Sequence, residues 1–384
     1  MEQQLEAVIL PYWKGLIDRR MGGYYGLVNF DLEVKQHADK GVILNSRILW
    51  FFSNAYLNSR DESLLPYAKH AYDFLTEHCL DREYGGVYWM MAYDTTIKED
   101  IKHTYNQAFA IYALSAYYEA TKEDKALSLA LDLFLLIEEK CTDTYGYLEA
   151  FTRDWVLIDN DKLSENGLLA DKTMNTLLHV LEAYTLLYKV SKDTSVKEKL
   201  IHILKLFQTK IYNPEKVRLE VFFNESLESI TDIHSYGHDI EASWLLDEAC
   251  RITGEKTITE ATKEYTRIIA ERIRRDALEG DAVLNECFLG KVDKTRVWWV
   301  QAEAVVGFYN AYEKTGERAY LETSKRIWNY IKTYFIDQRP GSEWLWDLDE
   351  NDQPSSHKPI TEPWKCPYHN GRMCFEIIRR MSNV

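Results

Sequence analysis

Five of the ten histidines occur at the beginnings of apolar, aromatic-rich segments: His103, His179, His234, His238 and His369. Imidazole takes up and releases a proton near neutral pH, so a cluster of this kind points to acid–base catalysis. Any one of the five could be a buried structural side chain, but their clustering argues against such a role for all of them. The remaining histidines fall on predicted outer helices or loops, where we expect solvated or capping roles: His37, His70, His78, His202 and His357.

The strongest single pair is His238 and Glu241, which are three residues apart. At that spacing on a helix the two side chains can touch. A carboxylate in contact with an imidazole orients the ring and raises its basicity, which suits a general base. His369 belongs to another segment and could face His238 across a cavity. Two imidazoles on opposite faces of a substrate can remove a proton from one side and return one from the other.

Three further residues would complete a site for a carbonyl substrate. Asn175 and His179 are four residues apart and therefore share one face of a helix, and Arg47 supplies a fixed positive charge. Together they could bind a carbonyl oxygen and stabilise an enediolate, the intermediate formed when a base removes a proton beside a carbonyl group.

Three other functions stay open from the residues alone. Imidazole and carboxylate groups suit zinc or manganese, although no H-E-x-x-H spacing is present. A sugar-binding module would need only the tryptophan side chains. A glycoside hydrolase would use two carboxylates. Four carboxylates are available for that purpose: Asp171, Asp239, Glu241 and Glu303.

The segments that carry these residues recur along the whole chain, roughly every 60–67 residues, as in repeat architectures. In each repeat an amphipathic segment, such as Lys125–Lys140, precedes one that is apolar nearly all round, such as Ala302–Tyr312. Six solvated helices around six buried ones predict an all-α (α/α)6 barrel, a closed toroid formed by one domain, residues 1–384. A solenoid would need polar capping repeats, and none is visible. Since all inner helices of a toroid begin at one rim, the candidate residues converge on one cavity.

Each repeat is predicted to contain an outer helix, a short strand pair, a loop and an inner helix. The outer helices are expected near residues 3–18, 63–79, 123–140, 194–211, 257–275 and 318–335. The strand pairs are expected at 22–28, 85–90, 146–151, 218–223, 282–287 and 342–346. The inner helices are expected to begin near residues 44, 104, 171, 238, 298 and 370.

The composition of the chain limits which binding partners and which cellular location we expect for the protein. The net charge of −15 repels phosphate backbones, so we expect no nucleic-acid partner. The six cysteines form no C-x-x-C pair, which is typical of reduced thiols in a cytoplasmic protein. The first residues lack the pattern of a signal peptide, and the most apolar run, Ala108–Tyr118, is shorter than the about 18–20 residues that span a bilayer. We therefore expect a cytoplasmic protein, with no membrane association, that acts as a monomer.

Six stretches of the chain resemble the N-acylglucosamine 2-epimerase superfamily, and within it the members that act on β-1,4-linked disaccharides. They are Lys40–Trp50, Lys102–Phe109, Asp171–His179, Asp232–Glu241, Thr295–Glu303 and Trp364–Arg372. The resemblance implies an (α/α)6 barrel and a reversible epimerisation at C2 of the reducing-end glucose, for example in cellobiose or lactose. It also implies that no metal or nucleotide is required. Related members act on N-acetylmannosamine or interconvert mannose and fructose, and these activities are the alternatives.

The same resemblance implies roles for individual residues. His238 and His369 correspond to the acid–base pair, and Glu241 to a carboxylate that supports His238. Arg47 and His179 correspond to groups that hold the carbonyl and enediolate oxygens. The predicted substrate-binding residues are Tyr105, Asn175, Trp298, Trp364 and, at the same rim, Glu303.

Overall fold

The computed structural model describes residues 1–160, 162 and 167–382, and in that part of the chain twelve main helices alternate between outer and inner positions. We number them α1–α12 in chain order, so that odd numbers are outer and even numbers inner. They are α1 (Glu2–Gln4, Leu5–Ile9 and Leu10–Gly15), α2 (Val42–Ser59), α3 (Leu65–Phe74 and Leu75–Cys79), α4 (Thr104–Thr121), α5 (Asp124–Lys140), α6 (Met174–Ser191), α7 (Thr194–Leu206 and Phe207–Ile211), α8 (Tyr236–Thr253), α9 (Lys256–Asp276), α10 (Trp298–Thr315), α11 (Arg318–Tyr330 and Ile331–Phe335) and α12 (His369–Ser382). The predicted all-α (α/α)6 fold is confirmed.

Burial separates the two helix types as the sequence patterns predicted. The outer helix α5 buries one stripe at helical spacing, namely Ala126, Ala130, Leu133, Phe134 and Ile137. The inner helix α4 buries thirteen of its 18 residues, so it is surrounded by protein on nearly all sides. Within the described residues, no helix combines the length and the hydropathy that crossing a membrane requires.

The first five inner helices end in the same way. Each is 18 residues long and is followed by a residue in the left-handed conformation, whose amide donates to a carbonyl four residues earlier. These residues are Arg60, Lys122, Lys192, Gly254 and Gly316. Only two of the five are glycine, so the other three adopt a backbone conformation that disfavours a side chain. The repeat conserves the geometry of the helix end more closely than the residue type.

The short strands join successive repeats. They are β1 (Lys40–Gly41), β2 (Met90–Met91), β3 (Ile97–Glu99), β4 (Lys102–His103), β5 (Ala150–Phe151), β6 (Leu157–Ile158), β7 (Lys172–Thr173), β8 (Tyr212–Asn213), β9 (Arg218–Leu219), β10 (Phe222–Phe223), β11 (Ile233–Ser235), β12 (Leu278–Glu279), β13 (Ala282–Val283), β14 (Glu286–Phe288), β15 (Lys291–Asp293), β16 (Arg296–Val297) and β17 (Asp347–Leu348). The strand before an inner helix pairs antiparallel with a strand of the next repeat: β1 with β2, β4 with β5, β7 with β10, β11 with β14, and β16 with β17.

The prediction of a strand pair at residues 22–28 is wrong, because this segment forms no two-strand ladder. That segment makes single antiparallel bridges, Ile17 with Tyr24 and Val28 with Val34. Val28 also bridges Thr361 of the sixth repeat, and the Thr361 side chain hydrogen-bonds the Tyr12 hydroxyl at 2.7 Å. These contacts close the ring between the last repeat and the first, where the other repeats use a two-strand ladder.

Ion pairs made by three buried lysines hold the loops against the starts of three inner helices. In each case a lysine two residues before the helix donates to an aspartate of the preceding loop: Lys40 to Asp18 at 2.6 Å, Lys102 to Asp81 at 2.9 Å and Lys172 to Asp143 at 2.6 Å. The aspartates also accept backbone amides of their own turns. A buried charge needs such complete pairing, so each pair fixes the position of a loop relative to a helix start.

Candidate active site

A cavity of ≈ 420 Å³ lies at the end of the barrel where the inner helices begin. Nine of the ten predicted site residues line it, and they come from all six repeats: Arg47, Tyr105, Asn175, His179, His238, Glu241, Trp298, Trp364 and His369. The tenth, Glu303, lies behind the wall and bonds one of the histidines. Because the repeats place six equivalent helix starts at one rim, residues up to about 320 positions apart meet in one chamber.

His369 is the first residue of α12 and is oriented by a carboxylate. Its Nδ1 lies 2.8 Å from Oε1 of Glu303, and its ring packs against Trp299 with 5.5 Å between ring centres. Burial, and then the positive charge of Arg372, lower the pKa of His369 well below its ordinary value. A neutral imidazole that donates a hydrogen bond from Nδ1–H to a carboxylate keeps a free electron pair on Nε2, so His369 is arranged as a base.

His238 stands in a less polar environment. Its Nδ1 lies 2.7 Å from the Ser235 hydroxyl, and its ring contacts the same Trp299, with 4.8 Å between ring centres. Burial, and then the neighbouring His179, lower the pKa of His238 to about 3. The two histidines therefore share one tryptophan as a neighbour, but a carboxylate orients one and a neutral hydroxyl orients the other.

The expected contact between His238 and Glu241 does not form. His238 bonds Ser235, whereas Glu241 accepts a hydrogen bond from Arg372 and lies 4.0 Å from Nδ1 of His369. Spacing along a helix allows the contact but does not select the rotamer, and the guanidinium attracts the carboxylate of Glu241 away from the neutral imidazole. The support that the sequence assigned to Glu241 is therefore given to His238 by Ser235.

The i,i+3 contact between histidine and glutamate occurs on α6 instead. Nδ1 of His179 lies 3.0 Å from Oε2 of Glu182. Glu182 is not among the residues predicted from the sequence, although His179 and Glu182 have the same spacing as His238 and Glu241. Burial opposes the ionisation of Glu182, but the charge of Arg372 prevails and lowers its pKa to about 2.

Arg372 connects these carboxylates and was also missed. It is fully buried, with 1% of its surface exposed, and donates to Glu182, Glu241 and, at 2.7 Å, Glu303. Burial, and repulsion by Glu303, raise the pKa of Glu241, and burial raises the pKa of Glu303. One cation is therefore shared by three buried carboxylates, two of which take up a proton more readily than an isolated glutamate does.

Arg47 keeps its charge directed to the cavity. It donates to the Tyr105 hydroxyl at 2.8 Å and to the Trp364 carbonyl at 3.4 Å, and it stacks on Phe109 at 4.2 Å. Among the described residues, its hydrogen-bond partners are uncharged. Since no carboxylate there neutralises it, the guanidinium can stabilise negative charge on a bound substrate.

Several buried polar atoms on the cavity wall have no hydrogen-bond partner among the described residues. They are Nε of Arg47, Oδ1 of Asn175, Oε2 of Glu241, Nε1 of Trp298 and Oδ1 of Asp347. Buried polar atoms are nearly always paired, so these donors and acceptors indicate a ligand that carries several hydroxyl groups.

Aromatic rings cover the same wall. Trp298 and Trp346 lie 4.7 Å apart between ring centres, and Trp364 lies across the cavity beside Tyr105, at 6.0 Å. Flat apolar faces next to unpaired polar atoms suit a sugar, whose ring faces are apolar and whose edge carries hydroxyls. Trp346 was not among the predicted site residues, although the sequence Trp344–Trp346 contains two tryptophans at strand spacing.

Comparison with known proteins agrees with this geometry. The family model of N-acylglucosamine 2-epimerase (GlcNAc 2-epimerase) matches residues 23–370. The chain belongs to the N-acylglucosamine 2-epimerase family. The family, the fold and the enzyme class predicted from the sequence, a carbohydrate epimerase or isomerase, are thereby confirmed.

Within this family the chain is similar over its whole length to proteins of known activity. It is 50% identical to a cellobiose 2-epimerase of Ruminococcus albus over 100% of this chain and 99% of that protein. A crystal structure of a sugar epimerase from a ruminal bacterium matches with a TM-score of 0.98 and 50% identity, covering 99% of this chain and 97% of that one. The structure of cellobiose 2-epimerase from Bacillus thermoamylovorans B4167 matches with a TM-score of 0.96 and 47% identity, covering 99% of this chain and 98% of that one.

The two remaining clustered histidines of this family member do not line the cavity. Nε2 of His234 bonds Asp239 at 2.7 Å, and Asp239 also accepts the amide of Leu219 at 3.1 Å. His103 accepts the amide of Tyr105 through Nδ1 at 3.2 Å and contacts Asn160 through Nε2 at 3.1 Å. His103 thus caps the start of α4, and His234 is bound to Asp239 in the first turn of α8. Since Asp239 is committed to His234, it is not available as one of the two carboxylates of a glycoside hydrolase.

One group in the site has the composition of a metal centre. Ligand atoms of Glu241, Glu303 and His369 lie within 4.8 Å of one another. However, Nη2 of Arg372 donates to both carboxylates, so a guanidinium already fills the place that a divalent cation would need. The donor set therefore fits an arginine better than a metal ion.

Proposed function

We propose that this protein catalyses the reversible epimerisation at C2 of the reducing-end glucose of β-1,4-linked disaccharides, converting cellobiose to 4-O-β-glucosyl-mannose and lactose to epilactose. The observation that carries the proposal is the pair His238 and His369, two imidazoles that line one cavity and both contact Trp299. The activity named for the relatives of high identity agrees with it.

The reaction begins when the sugar ring opens, because an open aldose has an aldehyde that makes the C2 proton acidic. Arg47 donates to the aldehyde oxygen and stabilises the negative charge that develops on it. His179 donates its Nδ1–H to Glu182, so its Nε2 accepts the hydrogen of the neighbouring C2 hydroxyl. One of His238 and His369 then takes the C2 proton and becomes an imidazolium, and the electron pair of the C–H bond forms the cis-enediolate.

Inversion follows when the enediolate turns about its C2–C3 bond. The other histidine takes up a proton from solvent once the negative enediolate lies beside it, and it gives this proton to the opposite face of C2. Both rings are neutral at the start of a turnover, and at its end the proton taken from C2 is on the first ring. Solvent exchange or the reverse reaction returns the pair to its first state, so no co-reactant is consumed.

The remainder of the cavity accommodates the second sugar. Its volume of ≈ 420 Å³ falls within the range of about 300–1,000 Å³ that is typical of small-molecule sites. Trp298, Trp346 and Trp364 offer faces for ring stacking, and Asn175 and Asp347 offer free acceptors for hydroxyls. We assign the disaccharide specificity to this wall.

A single experiment tests the activity against its alternatives. Cellobiose, lactose, mannose and N-acetylmannosamine are incubated separately with the enzyme in heavy water and followed by NMR. We expect C2-deuterated products from both disaccharides with the glycosidic linkage intact. A ketose from mannose as the main product would indicate an aldose–ketose isomerase. Release of monosaccharides would indicate a glycoside hydrolase. Inversion of N-acetylmannosamine alone would indicate an N-acylglucosamine 2-epimerase.

We expect chelation to leave the activity unchanged. Arg372 provides the positive charge between Glu241 and Glu303, so no step needs a divalent cation. The measurement compares initial rates with cellobiose before and after dialysis against EDTA, with metal content checked by mass spectrometry. A loss of rate that Mn²⁺ or Zn²⁺ restores would contradict the assignment of that position to Arg372.

We further propose that residues 1–384 act as one catalytic domain, in monomeric form, in the cytoplasm. The contacts between Val28 and Thr361 support one domain because they join the two ends of the chain. All six cysteines are free thiols, and five of them are buried, which suits a reducing compartment.

A further inference from the structure

We infer that Arg372 is the positioning residue of the active site: through Glu182 and Glu303 it sets the orientation and the basicity of His179 and His369 together. This inference rests on the proposed epimerisation. Arg372 does not line the substrate cavity, so it acts through the residues that it holds.

The hydrogen bonds form two arms that diverge from one guanidinium. On one arm Nη1 donates to Glu182, whose other oxygen bonds His179 at 3.0 Å. On the other arm Nη2 donates at 2.7 Å to Oε1 of Glu303, which bonds His369 at 2.8 Å. The planar, five-donor guanidinium can bind in both directions at once, whereas an ammonium group has no fixed fork.

Nearby side chains keep the guanidinium in its plane. Tyr368 stacks on it at 4.3 Å and also donates to Glu182, and Trp244 lies at 5.0 Å and donates to Oε2 of Glu303 at 3.0 Å. Every polar atom of this network is buried. Therefore a displacement of the guanidinium is transmitted to both histidines, since each carboxylate bonds the guanidinium and a histidine at once.

His238 is excluded from this network because Ser235 orients it. The network therefore acts on His369, one member of the acid–base pair, and on His179, which holds the substrate beside it. The charged and titratable groups that face His369 from the surrounding helices are Arg47, His179, Glu182, Glu241, Glu303 and Arg372. Among them, Arg372 is the charge that most lowers the pKa of His369. Removal of Arg372 therefore raises this pKa, and the positive charge of Arg372 is needed to keep His369 a neutral base.

A second cavity, of ≈ 120 Å³, reaches Arg372 from the opposite end of the barrel. Its wall includes Glu182, Trp244, Arg372 and Phe375. Truncation of Arg372 would enlarge this cavity toward the network, so a small planar cation from solution can enter where the guanidinium was. The fold thus offers a way to restore the missing group without restoring the residue.

The experiment compares Arg372→Lys and Arg372→Ala with Arg380→Lys, a control two turns later on α12 that bonds Glu313 and Asn310 outside the cavity. We expect kcat for cellobiose to fall about 100-fold in Arg372→Lys, the size of effect that a misplaced catalytic group produces, while KM changes little. Added guanidinium chloride should restore part of the Arg372→Ala activity, whereas sodium chloride and urea at equal concentration should not. Activity of Arg372→Lys within about twofold of wild type would overturn the inference.

A readout that needs no substrate separates this inference from the proposed function. Histidines labelled with ¹⁵N are titrated by NMR in the free wild-type and variant proteins. In Arg372→Ala the His369 resonance should titrate at a pH higher by about one unit or more, and that of His238 should move less. If Arg372→Ala does not fold, Arg372→Lys is titrated alone, and a change in the tautomer signals of His179 and His369 is expected. Unchanged histidine signals would refute the inference even if the wild type epimerises cellobiose, whereas changed signals in a protein without epimerase activity would refute only the proposed function.

Discussion

Replacing His369 by asparagine should lower kcat for epimerisation by about 10³–10⁴-fold, the contribution typical of a general acid–base residue. Asparagine can keep a hydrogen bond to Glu303 and leaves no large hole, but it cannot take a proton from carbon. The loss should therefore fall on kcat, whereas KM for cellobiose should stay close to that of the wild type.

Exchange of the C2 hydrogen with heavy water shows which face His369 serves. Each epimer, the glucose form and the mannose form, is incubated separately with the His369→Asn variant. One epimer should retain its C2 hydrogen, while the other should exchange it without inversion, because His238 can still act on its own face. His202→Asn, on the exposed side of α7, is the matched control and should behave as the wild type. Exchange from both epimers in His369→Asn would mean that His369 is not a catalytic base.

Replacing His238 by asparagine should reduce kcat by a similar factor, about 10³-fold or more, with the opposite pattern of exchange. The Ser235 hydroxyl can still bond the amide, so the start of α8 is preserved. The epimer that keeps its C2 hydrogen with His369→Asn should exchange it with His238→Asn. The epimer that exchanges its C2 hydrogen with His369→Asn should keep it with His238→Asn.

The comparison of the two variants is the decisive test of a two-base mechanism. If the same epimer stays inert in both variants, a single base serves both faces and the second histidine has another role. The double variant should show no exchange from either epimer, and circular dichroism should confirm that all three proteins are folded. Residual exchange in the double variant would indicate a third base, and His179 would be the residue to replace next.

The architecture and nine of the residues that line the cavity can be predicted from the amino-acid sequence alone. Inner and outer helices differ in apolar pattern because one type is buried on all sides and the other on one, and this difference is visible without coordinates. Once six such pairs are recognised, the equivalent helix starts must share a rim. For that reason nine residues from six separate segments, among them His179, His238 and His369, were placed in one chamber before their distances were known.

The hydrogen-bond partner of each of these residues depends on the folded arrangement of the whole chain. Spacing along a helix shows that Glu241 can reach His238, but the rotamer is selected by charge, and the guanidinium of Arg372 that selects it stands 131 positions away. Likewise Glu303, predicted to bind substrate, turns to His369, and Glu182 holds His179. The strands that precede the inner helices show the same limit, because they pair with strands of the next repeat, where no local pattern records the partner. Local periodicity specifies which face of an element is buried, whereas hydrogen bonds among buried charges depend on every group that the fold brings within a few ångströms.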